Sequence, residues 1–288
     1  MNLQITRLSR HLIFVILISS LLTCSAIGQQ TTLEKKADPQ KQAADVEAKV
    51  QKSRWDFEPD DSLPNVLLLG DSISIGYTLK VRQILKGKAN VYRPVKKVKP
   101  KKANNAQPAS SDQTIPEPAR PKVTRPENCL GTNQGIKQIE RWIGETKWDL
   151  IHFNFGLHDL KHVDANGRNS SKPDDPQQAA PEKYAEQLEK ITEVLLTTNA
   201  KLIFATTTPI APETNKPLRK PEYPPVYNEK ALEVMKRHGV EINDLYASCL
   251  PMLGKIQRPQ DCHFNKQGNE HLANEVAQSI LKRLKDGG

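Results

Sequence analysis

Asn65-Val66-Leu67-Leu68-Leu69-Gly70-Asp71-Ser72-Ile73-Ser74-Ile75-Gly76 is the stretch from which the fold is read. Four apolar residues in a row leave no polar face, so the run suits a strand covered on both sides, as in a parallel sheet. It is too short for a buried helix, and Gly70 ends it. From Ile75 to Leu85 the pattern turns helical. A strand, a tight turn and a helix in that order open a βαβ unit.

The same alternation continues downstream. Asn90-Val91-Tyr92 reads as a short second strand. Ile136, Ile139 and Ile143 mark a helix face. Leu150-Ile151-His152-Phe153-Asn154-Phe155 is a strand ended by Gly156. Tyr184, Leu188, Ile191 and Leu195 share a helix face, with Pro181 suited to its first turn. Lys201 to Thr207 is a strand, followed by a proline-rich loop from Pro209 to Pro225. Ala231, Val234 and Met235 lie in the next helix, and Val240-Glu241-Ile242 is a short strand. Leu272, Val276, Ile280 and Leu284 line a closing helix. The pattern predicts a parallel sheet with helices on both faces. No internal repeat is visible.

Arg7, Arg10 and His11 precede the apolar run Leu12 to Leu22. That run is too short for about 30 Å of hydrocarbon and has the length of a signal-peptide core. Ala26 and Gly28 are the small residues such a cleavage site needs. Residues 1–28 are therefore read as a signal peptide, and the protein as exported, periplasmic or secreted. Cys24 offers a second reading, a lipid anchor, against which the bulk of Thr23 stands. Residues 29–54 read as a flexible linker and 55–288 as one domain. Cleavage would leave Cys129, Cys249 and Cys262, too few for a disulfide scaffold and without zinc-like spacing. The sequence does not choose between a disulfide among them and free thiols.

Lys and Arg number 42 against 33 Asp and Glu, a net of +9. Eleven basic and two acidic residues lie between Lys86 and Pro126, so the rest of the chain is neutral. The segment from about Lys96 to Lys122 has little to bury and is read as a disordered insert. Its plain reading is a solvated linker. Its functional reading is a tether to an anionic membrane surface or an acidic polysaccharide. Nucleic acid is not expected: no aromatic stands among the lysines to stack a base, and the charge is not spread over a folded face.

In a parallel sheet, functional groups gather at the carboxyl ends of the strands. Ser72 stands where strand becomes helix, its N–H at the positive end of the helix. A hydroxyl there can attack while the amide stabilises an oxyanion; alternatively Ser72 or Asp71 simply caps the helix. His152, His158, Asp159, His162 and Asp164 cluster in sequence, and His158 and His162 have the i,i+4 spacing of a helical zinc pair. The competing reading, and the preferred one, makes His152 an inward strand residue and His162 a solvent-facing one. No metal and no cofactor is expected.

Three further segments join Gly70-Asp71-Ser72: Asn128-Cys129-Leu130-Gly131-Thr132, Gly156-Leu157-His158-Asp159 and Asp261-Cys262-His263-Phe264. In this order the four resemble the blocks of the SGNH, or GDSL-like, esterase and lipase family, over about Asn65 to Leu284. The resemblance implies a flavodoxin-like three-layer α/β/α sandwich with a five-stranded parallel sheet. It implies Ser72 as nucleophile, His263 as general base, and an oxyanion hole of Ser72, Gly131 and the third-block residue, here His158. Two positions depart from the family pattern. The third block usually has Asn where His158 stands. The last block usually has Asp at the position of Gln260, so Asp261, one residue later, is the residue expected to orient His263. The implied activity is hydrolysis of small acyl esters, acetyl foremost, on a small-molecule or carbohydrate alcohol. The alternative is a catalytically idle SGNH fold that binds glycans. The Pro209–Pro225 loop is expected to border the cleft and to help choose the substrate.

Overall fold

The structure, a computed structural model, describes residues 53–98 and 123–286. The signal-peptide reading, nearly all of the linker and residues 99–122 of the insert fall outside the described residues.

The opening run forms β1 (Asn65–Leu69), whose Val66 to Leu69 are at most 1% exposed. Helix α1 (Ser72–Ile84) follows, then β2 (Asn90–Tyr92). A hairpin of β3 (Val95–Val98) and β4 (Val123–Pro126) leads to α2 (Thr132–Ile143) and β5 (Leu150–Phe153). Then come α3 (Pro181–Leu196), β6 (Lys201–Ala205), α4 (Tyr223–His238) and β7 (Glu241–Asn243). Two short helices, α5 (Leu245–Cys249) and α6 (Leu253–Ile256), precede the closing α7 (Lys266–Lys285).

The main sheet has the order β2-β1-β5-β6-β7, with every pair parallel. Counted within the sheet alone, the order is second, first, third, fourth, fifth, as in flavodoxin-like folds. The order reverses between β1 and β5, so the loops leaving their carboxyl ends diverge and open a crevice. Helices α1 and α7 pack together on one face, and α2, α3 and α4 pack in succession on the other. The three-layer α/β/α sandwich read from the sequence is the fold observed. Phe153 and Phe204 meet edge to face across β5 and β6, with ring centroids 5.4 Å apart. Such pairs add to the burial that drives the core. Among the described residues no helix is long and apolar enough to cross a membrane.

Two expectations are corrected. On α2, Ile136 is exposed, and the face turned inward is Thr132, Gly135, Ile139 and Trp142. Gly135 sets this phase: a Cβ there would lie 2.5 Å from Ile191 Cδ1 of α3. The insert, read as unstructured from Lys96, starts instead as a strand. Lys96 pairs with Arg125 and Lys97 with Thr124. The pairing partner lies beyond residues 99–122, out of reach of any local pattern, so hydrophobic periodicity gave no sign of it.

Candidate active site

Asp71 caps α1: its Oδ1 accepts the Ile73 N–H at 2.9 Å, and the residue is buried. With the cap supplied by its neighbour, the Ser72 hydroxyl is free for another partner. That partner is His263, whose Nε2 lies 2.8 Å from Ser72 Oγ. His263 sits in the loop between α6 and α7. Gln257 holds this loop, its Nε2 donating to the carbonyls of Cys262 (3.0 Å) and Pro209 (2.9 Å).

Asp261 Oδ1 lies 2.6 Å from His263 Nδ1 and also accepts the His263 N–H at 3.1 Å. One carboxylate oxygen therefore grips both ring and backbone. Gln260 turns away. Its φ of 55° sends the side chain outward, where Nε2 donates to Glu213 at 2.7 Å. The structure thus brings Ser72, His263 and Asp261 into one chain of contacts and leaves Gln260 out.

The His263 pKa is raised to about 9, because the Cys262 sulfur, 3.8 Å from Nδ1, and the Asp261 carboxylate favour the protonated ring against partial burial. Burial alone would raise the Asp261 pKa, but the hydrogen bonds from the His263 ring and N–H bring it below its ordinary value. The three cysteines of the domain are buried free thiols.

Gly131 is the N-cap of α2, in extended backbone. Like Ser72 it stands at a helix N-terminus, where N–H groups lack intrahelical acceptors. Cys129 N–H donates to Gly70 O at 3.2 Å, which ties this turn to the one bearing Ser72. A Cβ on residue 131 would lie 2.7 Å from Asp159 Oδ1, so the turn accepts only glycine while Asp159 stands behind it.

His158 is partly buried, and its Nδ1 is sealed with no hydrogen-bond partner. Burial first, then the charges of Lys161, Arg219 and His263, push its pKa down to about 3. It is a neutral imidazole at any ordinary pH. The rest of the histidine cluster disperses. His152 is an inward strand residue held by Asn243 Nδ2 at 3.1 Å. His162 was expected to face solvent. It is buried, stacked on Tyr223, with Nε2 2.9 Å from the Tyr223 hydroxyl. Residues 157–160 form a turn, not a helix, so the i,i+4 spacing builds no shared face. Among the described residues, the His, Cys, Asp and Glu groups that converge lie elsewhere, at Asp261–His263 and at Glu189, Glu193 and His238.

Asp159 is fully buried. Its Oδ1 accepts the Thr132 N–H at 2.8 Å and lies 2.6 Å from Thr132 Oγ1; its Oδ2 has no partner. Thr132 Oγ1 also lies 2.7 Å from Gln187 Oε1. One hydroxyl proton cannot serve both. The orientation of Gln187 decides between them. Asn133 Nδ2 donates to Gln178 O at 3.3 Å, so Asn133 Oδ1 accepts from Gln187 Nε2 at 2.6 Å, leaving Gln187 Oε1 toward Thr132. The threonine proton is drawn toward Gln187, and to that extent Asp159 is favoured in its acid form. Burial raises its pKa to about 7 in the same sense.

Two arginines were missed. Arg93, counted by sequence with the insert's charge, is buried. It donates to Gly70 O, Ser74 Oγ, Thr78 Oγ1 and Glu127 O, clamping the β1–α1 turn. Arg219, from the Pro209–Pro225 loop, is also buried, with Nε on Leu157 O at 2.9 Å. No sequence signal marks either one, because both act through long-range contacts with backbone. A groove of about 990 Å³ lined by Phe57, Leu79 and Arg82 holds none of the residues of this site.

No protein-family model and no curated protein matches the chain. Solved structures do. An acetyl xylan esterase, AlAXEase, is 14% identical, with a TM-score of 0.53 over 75% of this chain and 99% of that one. A lipase/acylhydrolase from Enterococcus faecalis is 18% identical, with a TM-score of 0.54 over 76% and 96%. A carbohydrate esterase family 3 protein from Talaromyces cellulolyticus is 18% identical, with a TM-score of 0.51 over 78% and 100%. At these identities the likeness is one of architecture. With its sheet order and the strand-end position of Ser72, it gives the chain the SGNH, or GDSL-like, hydrolase fold.

Proposed function

We propose that the protein is an exported serine esterase that removes small acyl groups, acetyl foremost, from carbohydrate esters. The observation that carries the reading is the continuous contact from Ser72 Oγ through both ring nitrogens of His263 to Asp261, at 2.8 and 2.6 Å. Ser72 Oγ attacks the ester carbonyl while its proton passes to His263 Nε2. Asp261 holds the ring in the tautomer that presents a bare Nε2 and then stabilises the imidazolium. The N–H groups of Ser72 and Gly131 receive the oxyanion. The sealed Nδ1 of His158 has no acceptor, so its proton belongs on Nε2, where it serves as a third donor. The imidazolium returns its proton to the leaving alcohol. Water, activated by the same His263, then releases the acid and restores Ser72.

Support for a sugar alcohol comes from the polar composition, the signal-like residues 1–28, and the names of two neighbours, an acetyl xylan esterase and a carbohydrate esterase. The test is release of p-nitrophenol from p-nitrophenyl acetate by the purified protein and its Ser72→Ala variant. Turnover lost with the variant supports the reading. Turnover indifferent to it removes Ser72 as nucleophile. No turnover on this or any acetylated sugar favours the idle, glycan-binding alternative.

A further inference from the structure

Buried arginines ordinarily satisfy their donors, because an unpaired buried cation is costly. Arg93 bonds both Nη atoms, to four oxygens between them, and only its Nε is sealed without a partner. Arg219 differs. It is 7% exposed, only its Nε is bonded, to Leu157 O, and no carboxylate among the described residues lies within ion-pair distance. Its Nη atoms make no hydrogen bond to a described residue, and they are not sealed from solvent. Leu157 precedes His158, so the guanidinium is fastened to backbone next to the proposed oxyanion donor.

Lys161 adds a second cation. Its Nζ meets only a neutral acceptor, Asn169 Oδ1, at 2.9 Å. The charges of Lys161 and Arg219 both bear on His158, and that of Arg219 also bears on Asp71, beside Ser72. No carboxylate among the described residues pairs with either cation, and Asp261, the ionised acid of the site, is engaged with His263. Asp71 and Asp159 are fully buried, and burial pushes both toward the neutral form. Two cations therefore stand at the edge of the site by His158 with only neutral oxygens as partners.

We propose that Arg219, with Lys161, forms a subsite beside Ser72 that takes a carboxylate on the substrate, so that the esters hydrolysed are those of acidic sugars. The inference rests on the esterase reading for its substrate, not for its anion site. Arg219 presents its free Nη edge for a bidentate contact, and Lys161 acts as a point charge.

The test compares methyl glucopyranosiduronate and methyl glucopyranoside, each acetylated at its three ring hydroxyls, which differ only in the carboxylate. The expected kcat/KM favours the uronate by about tenfold or more at low salt, as a charge-assisted pair gives. The preference should shrink at high salt. Arg219→Gln should bring the ratio to within about twofold, mainly through KM, whatever it does to the common rate, and Arg219→Lys should keep part of it. If Arg219→Gln does not fold, Lys161→Gln is read instead and should lower the ratio by about threefold. A wild-type ratio near one, or an equal loss on both esters in Arg219→Gln, overturns the subsite while the esterase reading stands. If no ester is turned over, the esterase reading falls. The subsite is then judged by NMR titration of the two glycosides into Ser72→Ala and Ser72→Ala/Arg219→Gln. Uronate preference in the first and not the second supports it; equal binding to both overturns it.

Discussion

Asp159→Asn should make the protein more stable relative to wild type as pH rises from about 4 to 7. In the fold Asp159 is sealed, with Oδ2 unpartnered and Oδ1 sharing Thr132 Oγ1 with Gln187, an arrangement that favours the acid form. The groups facing it are Asp71 at the head of α1, Lys161 in its own loop, Tyr184 of α3 and Tyr227 of α4. Its folded pKa, about 7, lies above the ordinary 3.8. A carboxyl shifted this way binds its proton more tightly folded than unfolded. Its contribution is complete below pH 3.8 and is lost as pH rises to about 7, above which the loss is constant. The gap corresponds to about 4 kcal/mol, at about 1.4 kcal/mol per tenfold in proton affinity. Water entry on ionisation relaxes part of it, so about 2–4 kcal/mol is expected. Asparagine never ionises and keeps an acceptor for the Thr132 N–H. For a domain of this size the Tm difference between variant and wild type should widen by roughly 4–16 °C across the interval. Thermal melts of both proteins at four or five pH values measure it. A difference flat from pH 4 to 7, or one that narrows as pH rises, would refute the neutral acid and the proton accounting behind it.

The raised His263 pKa predicts that kcat/KM on p-nitrophenyl acetate climbs through about pH 9, since the base works only when deprotonated. Cys262→Ala and Asp261→Asn should each move that midpoint down; a midpoint near 6.5 in wild type would contradict the geometry around Nδ1. Asp261→Asn should also cut turnover at least about 10²-fold, whereas Gln260→Ala, which loses only its contact to Glu213, should change it little. The opposite pattern in parallel assays would return the orienting role to Gln260. His158→Ala should cost about 10²–10³ in kcat, and His158→Asn should restore part of it with an amide donor. Full turnover in the alanine variant removes His158 from the oxyanion hole. Gly131→Ala drives a methyl against Asp159 Oδ1 and should lower kcat more than it raises KM, read from steady-state kinetics.

Local sequence pattern was sufficient for the strands of the main sheet, for the long helices and for the position of Ser72 at a helix N-terminus. Val66 to Leu69 have no polar alternation, so they must be covered on both sides, and the turn after them must put a residue at the positive end of α1. That residue is Ser72. The inward faces of α3, α4 and α7 follow from helical period, because Tyr184, Leu188, Ala231, Leu272 and Val276 can all be buried in only one phase. Local pattern was enough where the deciding contacts are local. It failed on α2, where the close approach of Gly135 to Ile191, not the isoleucine spacing, set the face. It failed at Lys96 and Lys97, whose strand partners lie beyond residues 99–122.

Which acid meets His263 was settled by the folded backbone. Asp261 and Gln260 are adjacent in sequence, and the left-handed backbone at Gln260 swings one side chain out while the other turns in. The assembled fold alone sets the charge balance around Ser72. Burial pushes Asp71 and Asp159 toward the neutral form, while Arg219 and Lys161 meet only neutral oxygens, and no count of charges along the chain contains that information. Ionisation depends on what surrounds a group in three dimensions, and at this site the surroundings come from the Pro209–Pro225 loop, from residues 157–161 and from α2, segments that meet only when the sheet is assembled.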